Sequence, residues 1–194
     1  EQLPDLEVAK SYYQLDFEAY AIAMFHPVTT EIDQMEVYAQ NFVDALLADH
    51  HNYLVVYPNN DLGSRLILKA YEALNGNPRF RVIPSLRFEY FLTLLKNSQF
   101  IIGNSSAGIR EAPYYGIPII NIGTRQQNRA VHADILHVDY QKAAIGAALD
   151  MIDIHKVNVG DSDFGQGNSA QLFLDCLQMT NFWQMNQQKQ FWDL

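Results

Sequence analysis

The chain has 194 residues, 48% of them apolar and 12% aromatic, enough to bury the core of one ordinary domain. Its 13 Lys and Arg stand against 22 Asp and Glu, a formal charge of −9, with no basic stretch of the kind a phosphate-backbone binder needs, so nucleic acid is not an expected partner. The single cysteine, Cys176, excludes an internal disulfide and a Cys-based zinc site. It reads as a small buried hydrophobe in a reducing cytoplasm, and no apolar run approaches the ~20 residues of a membrane span.

Residues 1–19 open on Glu1 rather than Met, as a piece of a longer protein would, without a signal peptide; they read as a lead-in, a linker or a short helix. Tyr20–Phe25 is the first of six short apolar runs. A segment of helical period follows, with Met35, Phe42, Val43, Leu46 and Leu47 on one face. Tyr53–Tyr57 is the second run and leads into a helix carrying Leu66, Leu68, Tyr71 and Leu74. Phe80–Ile83 precedes a third helix with Phe88, Phe91, Leu92 and Leu95. Phe100–Ile102, Pro118–Ile122 and Ile135–Val138 complete the set, and a helix is expected from about Gln141 to Ile154. Near-continuous apolarity suits strands covered on both faces, and strict alternation with helices demands crossover connections. The fold class is therefore α/β, a doubly wound, Rossmann-like parallel sheet, spanning residues 20–180. A polar loop, Asp161–Ser169, leads to a last helix from about Ala170. The tail, residues 181–194, carries Phe182, Trp183, Phe191 and Trp192 and is expected to dock on a domain surface.

Ligands of an open parallel sheet bind at the carboxyl ends of its strands. The residues just after the runs are polar and converge on that edge: His26–Thr30, Pro58–Ser64, Gly103–Gly108 and Gly123–Arg125. The Gly103-Asn104-Ser105-Ser106-Ala107-Gly108 turn has the features of an anion site. Ser105 or Ser106 can cap a helix starting near Gly108, and small residues leave backbone N–H groups open to a diphosphate. A well-capped turn without a ligand is the plain alternative; a P-loop is out, for no Lys follows the final Gly. Glu111, one turn further on, can accept from the two hydroxyls of a ribose or lie solvated at the surface. Arg125 can reach a phosphate with its planar fork, as can Arg110 and Arg129, and composition does not rank them. His26, ahead of Pro27, can donate to a phosphate or carry a proton. Asn59 can read a base edge, or the Asn59–Asp61 cluster can serve as a helix cap with Asp61 bonding Ser64. His50, His51, His132, His137 and His155 show no ligand spacing, so no metal site is expected.

FHPVTTE (25–31), YPNNDLGS (57–64) and above all GNSSAGIREAPYYGIPIINIGTRQQNR (103–129) resemble the carboxyl-terminal half of UDP-N-acetylglucosamine 2-epimerases, and FGQGNSA (164–170) resembles that family's late glycine motif. The turn at 103–108 favours the hydrolysing branch, of sialic and legionaminic acid synthesis. The resemblance implies one half of a two-domain GT-B architecture and a UDP-sugar substrate. By that resemblance His26 contacts the phosphates or leaving group, Asn59 lies by the nucleotide, and the backbone near Leu86 flanks the uracil. Ser105 and Ser106 bind the diphosphate, Glu111 the ribose hydroxyls, and Arg125 completes the site. It implies elimination of UDP followed by addition of water, without cofactor, in a homodimer or tetramer. The acidic catalytic residues are then expected in an N-terminal domain this chain lacks. A UDP-sugar-dependent GT-B glycosyltransferase and a non-catalytic nucleotide-sugar-binding module are the competing readings.

Overall fold

The computed structural model describes residues 3–129, 134–155, 164 and 167–184. It divides into two compact units, Glu1–Asp161 and Ser162–Leu194.

Every apolar run of the first unit forms a strand: β1 (Ala21–Met24), β2 (Tyr53–Val56), β3 (Phe80–Ile83), β4 (Ile101–Gly103), β5 (Ile119–Ile122) and β6 (Ile135–Val138). They make one sheet of order β3-β2-β1-β4-β5-β6, parallel at every pairing. Strand order reverses between β1 and β4, which is where a doubly wound fold opens a crevice. Register sets Ile22 opposite both Leu54 and Ile101.

Because side chains alternate along a strand, each strand feeds two cores. Ala21, Ala23, Tyr53, Val55, Ile102 and Ile120 point to one face, against α2 (Met35–Ala48), α3 (Ser64–Tyr71) and α7 (Lys142–Ile152). Ile22, Leu54, Val56, Ile101 and Ile119 point to the other, against α1 (Leu6–Tyr13), α4 (Phe88–Lys96), α5 (Ala107–Arg110) and α6 (Ala112–Tyr115). The lead-in is thus a helix, capped by the Asp5 carboxylate on the Glu7 N–H at 2.8 Å and burying Ala9 in the second core.

Two helical faces differ from those expected. In α3 the buried set is Ile67, Ala70 and Tyr71, continued by Leu74 in a 3-10 turn, an i, i+3, i+4, i+7 stripe that leaves Leu66 and Leu68 partly exposed. In α4 the core takes Phe91, Leu94 and Leu95, while Phe88 stands 60% exposed at the first turn. The helix expected from Gly108 is broken into α5 and α6, because Pro113 has no N–H for the Ile109 carbonyl and its ring crowds that turn.

In the second unit, α8 (Ser169–Gln178) and α9 (Thr180–Trp183) bury no residue. Cys176 is accordingly exposed, not the buried hydrophobe that composition suggests. Gly165 and Gln166 of the glycine motif, His132, and Phe191 and Trp192 of the tail lie outside the described residues. Among the described residues, no helix is long and apolar enough to cross a membrane.

Candidate functional site

A cavity of about 440 Å³ opens at the carboxyl edge, over the ends of β1, β2, β3 and β4. His26, Asn59, Leu86, Ser106 and Glu111 all line it, so five candidates from separate loops meet in one place. Its walls are otherwise largely apolar, with Met24, Val56, Pro58, Pro84, Phe88 and Phe91. Such a lining with a few convergent polar groups is typical of a small-molecule site. Phe88, expected on the core face of its helix, is part of this wall instead.

The floor is fastened by a residue to which the sequence assigns no role beyond its place in the turn. Asn104, fully buried, accepts the His26 backbone N–H on Oδ1 at 2.7 Å and donates from Nδ2 to the His26 carbonyl at 2.8 Å. Its own N–H donates to the Met24 carbonyl at 3.1 Å. Its carbonyl accepts from Arg125 Nη1 at 3.1 Å and Gln126 Nε2 at 2.8 Å, which brings the loop after β5 to the same point. Gly103 permits this approach: its φ is +135°, and a Cβ there would collide with the Met24 carbonyl.

The His26 ring accepts the Asn59 backbone N–H on Nδ1 at 3.1 Å. A neutral ring therefore carries its proton on Nε2. Burial, and then the positive charge of Arg125, push the His26 pKa down to about 4, against a smaller opposing effect of Asp61. The imidazole is a neutral N–H donor at pH 7. Asn59 is held by its Nδ2 donating to Asp61 Oδ2, while its buried Oδ1 has no partner among the described residues. Asp61 does not cap α3 with its side chain; the N-cap is Gly63, at φ +99°.

Ser106 is the N-cap of α5 but makes no side-chain cap bond, while the Ser105 Oγ just before it accepts the Ala107 N–H at 3.3 Å. Ser105 does not line the cavity, whereas Ser106 does. The backbone N–H groups of Ser105 and Ser106 have no acceptor among the described residues. Glu111 is half-buried, and desolvation raises its carboxyl pKa against a smaller lowering by Arg110. Arg125 stands behind the floor rather than in the wall. It is half-buried and has no carboxylate within ion-pair distance among the described residues, while Arg110 and Arg129 are exposed. Arg125 is the arginine whose charge acts on the His26 ring.

Residues 2–178 match the sequence model of the UDP-N-acetylglucosamine 2-epimerase family. The chain belongs to this family. As a member of the UDP-N-acetylglucosamine 2-epimerase family it is 43% identical over 195 residues to the UDP-N-acetylglucosamine 2-epimerase of Neisseria meningitidis serogroup B, across 99% of this chain and 52% of that protein. It is 29% identical over 151 residues to the hydrolyzing UDP-N,N'-diacetylbacillosamine 2-epimerase of Legionella pneumophila, across 77% of this chain and 40% of that one. The solved Methanocaldococcus jannaschii UDP-GlcNAc 2-epimerase, in complex with UDP-GlcNAc and UDP, is similar at a TM-score of 0.70 and 18% identity, covering 88% of this chain and 48% of that chain. At that identity the likeness shows the fold alone, one half of a GT-B architecture. The chain spans about half the length of the first curated relative it matches.

Proposed function

We propose that this chain is the UDP-binding half of a hydrolysing UDP-N-acetylglucosamine 2-epimerase, which forms N-acetylmannosamine, or a diacetamido analogue, in sialic or legionaminic acid synthesis. The observation that carries the reading is the convergence of His26, Asn59, Leu86, Ser106 and Glu111 on one cavity at the sheet's switch point. The backbone near Leu86 flanks the uracil, Asn59 lies by the nucleotide, Glu111 accepts from the ribose hydroxyls, and the diphosphate lies along Ser105 and Ser106. The N–H groups there, without an acceptor among the described residues, and the Arg125 guanidinium supply the donors and the cation a diphosphate needs.

In the proposed reaction the bond from C1 to the diphosphate oxygen breaks as a base removes the C2 proton, leaving a 1,2-unsaturated sugar and UDP. Water then adds at C1 and a proton returns to C2 on the opposite face. His26 Nε2–H donates to the departing diphosphate, whose developing charge is met without ordering of solvent. The base belongs to the facing domain of the complete cleft, in a cytoplasmic homodimer or tetramer.

Titration calorimetry of UDP into the chain tests the site; saturable binding is expected, and Arg125→Ala is expected to weaken it by roughly 1.5–3 kcal/mol. Absence of UDP binding refutes the reading. The reaction is tested on the two-domain protein with UDP-N-acetylglucosamine in water and no acceptor. Free UDP with N-acetylmannosamine supports the hydrolysing reaction, and UDP-N-acetylmannosamine in its place overturns it.

A further inference from the structure

The opposite edge of the sheet holds a second cluster, which the nucleotide reading does not use. Asp49, His50 and His51 lie in the turn between α2 and β2, and Asp153 is the C-cap of α7, arriving from 102 positions further along the chain. Both rings lie between the same two carboxylates, His51 at hydrogen-bond distance and His50 more loosely. Asp49 Oδ2 lies 2.8 Å from His51 Nδ1, and Asp49 Oδ1 lies 3.4 Å from His50 Nδ1. At the other side of the rings, His51 Nε2 is 3.1 Å from Asp153 Oδ1, and His50 Nε2 is 3.9 Å from Asp153 Oδ2. One carboxylate thus orients the His51 imidazole through Nδ1 and lies near Nδ1 of His50, and a second faces both Nε2 atoms.

That pattern has a chemical consequence. A neutral imidazole that donates Nδ1–H to Asp49 presents a lone pair at Nε2, and here that lone pair meets a carboxylate oxygen. Two Nε2 atoms and two carboxylate oxygens form a set that is satisfied either by protons carried on the imidazoles or by one shared metal cation. With metal–ligand bonds of about 2.0–2.2 Å, neighbouring ligand atoms lie about 3–3.6 Å apart; the His51–Asp153 spacing of 3.1 Å is of that size, and the exposed His50, at 3.9 Å, must close by a few tenths of an ångström. A carboxylate on the far nitrogen of a ligating histidine is the arrangement that fixes tautomer and ring orientation at metal centres. We propose that His50, His51 and Asp153 bind one divalent transition-metal ion of the Zn²⁺ type, with Asp49 as the positioning residue. Imidazole with carboxylate suits Zn²⁺, Co²⁺ or Ni²⁺ better than Mg²⁺.

The half of the site that must be rigid is rigid. The His51 side chain is 3% exposed, packed edge-on against Phe100 with centroids 4.9 Å apart at 86°. Asp49 Oδ2 also accepts from Tyr53 Oη at 2.6 Å and from the His51 N–H at 3.0 Å. Arg79 holds the turn by donating to the carbonyls of Leu47, Asp49 and His51. The other half is open: His50 is 77% and Asp153 54% exposed, which gives an entry path and room for water as a further ligand. A bound ion ties the end of α2 to the end of α7. Sequence spacing hides the site, because two adjacent histidines match no ligand pattern and the third ligand is remote.

The test is titration calorimetry of ZnCl₂ into the chelator-stripped full chain at pH 7.5, with MgCl₂ as a hard-cation control, together with melting temperatures with and without Zn²⁺. One saturable Zn²⁺ site and a raised melting temperature are expected, with neither for Mg²⁺. Both exposed ligands can be changed without touching the core, so His50→Ala and Asp153→Asn are expected to melt like the parent when metal-free. Each is expected to lose at least about tenfold in Zn²⁺ affinity. Absence of saturable binding overturns the proposal, and so does unchanged affinity in the His50→Ala/Asp153→Asn double variant, which places the ion on other histidines. Neither result bears on the UDP site.

Discussion

Replacing Asn104 tests the reciprocal pair that holds the cleft floor. Asn104→Ala leaves the N–H and carbonyl of His26 without partners in a half-buried position, each costing about 1–3 kcal/mol, so a loss of roughly 2–6 kcal/mol is expected. Asn104→Asp is more informative. It keeps an oxygen for the N–H but sets a second, charged oxygen against the His26 carbonyl in a fully buried site. At pH 7 the Asp variant is therefore expected to be less stable than the Ala variant. Burial beside a carbonyl raises the folded-state pKa of the introduced carboxyl above its unfolded value of about 3.9, with the Arg125 guanidinium on the residue 104 carbonyl pulling the other way. The penalty is thus complete above the folded pKa and disappears as pH falls toward the unfolded one. Once protonated, the carboxyl donates to the His26 carbonyl, and the order of the two variants reverses. Urea unfolding of both variants at pH 7 and pH 4 measures this directly, as a difference from which other titrations shared by the two proteins cancel. An Asp variant as stable as the parent at pH 7, or an order that does not change with pH, refutes the pairing.

His26 supplies its own pH signature. Its folded pKa, near 4, lies below the unfolded value of about 6.5, so the unfolded chain binds the extra proton between these limits and stability falls as pH drops through that window, by about 3 kcal/mol in all. His26→Gln removes that slope, and parallel pH–stability curves for variant and parent would contradict the burial described. Gly123→Ala is expected to destabilise the fold by more than ~1 kcal/mol in denaturant unfolding, since φ is +71° and a Cβ would strike the Tyr140 ring. Phe88→Ser, at an exposed wall position, is expected to leave the melting temperature unchanged while weakening UDP binding severalfold; an equal loss of stability would return Phe88 to the core.

The strands are legible because a parallel sheet buried on both faces writes its strands as near-continuous apolar runs, as in Ala21–Met24 and Tyr53–Val56. Helical faces are less so. Leu66 and Leu68 are as apolar as Ile67, and only the stripe through Ala70, Tyr71 and Leu74 decides between them. At the site, His26, Asn59, Ser106 and Glu111 are visible because each follows a strand or opens the helix after it. The Asn104 bonds are not, since they join residues 78 apart and an asparagine after a strand has many uses. The His51–Asp153 approach is hidden by the same kind of distance.

The break at Pro113 has a bearing on how an anion would arrive. A four-residue helix projects little field, so whatever holds a diphosphate beside Ser106 acts at contact range: single amides, one hydroxyl, one guanidinium. Farther out, a molecule of net charge −9 repels a polyanion. Added salt damps that repulsion more than it weakens the sheltered contacts, so capture should quicken as ionic strength rises, the reverse of the usual trend for phosphate ligands.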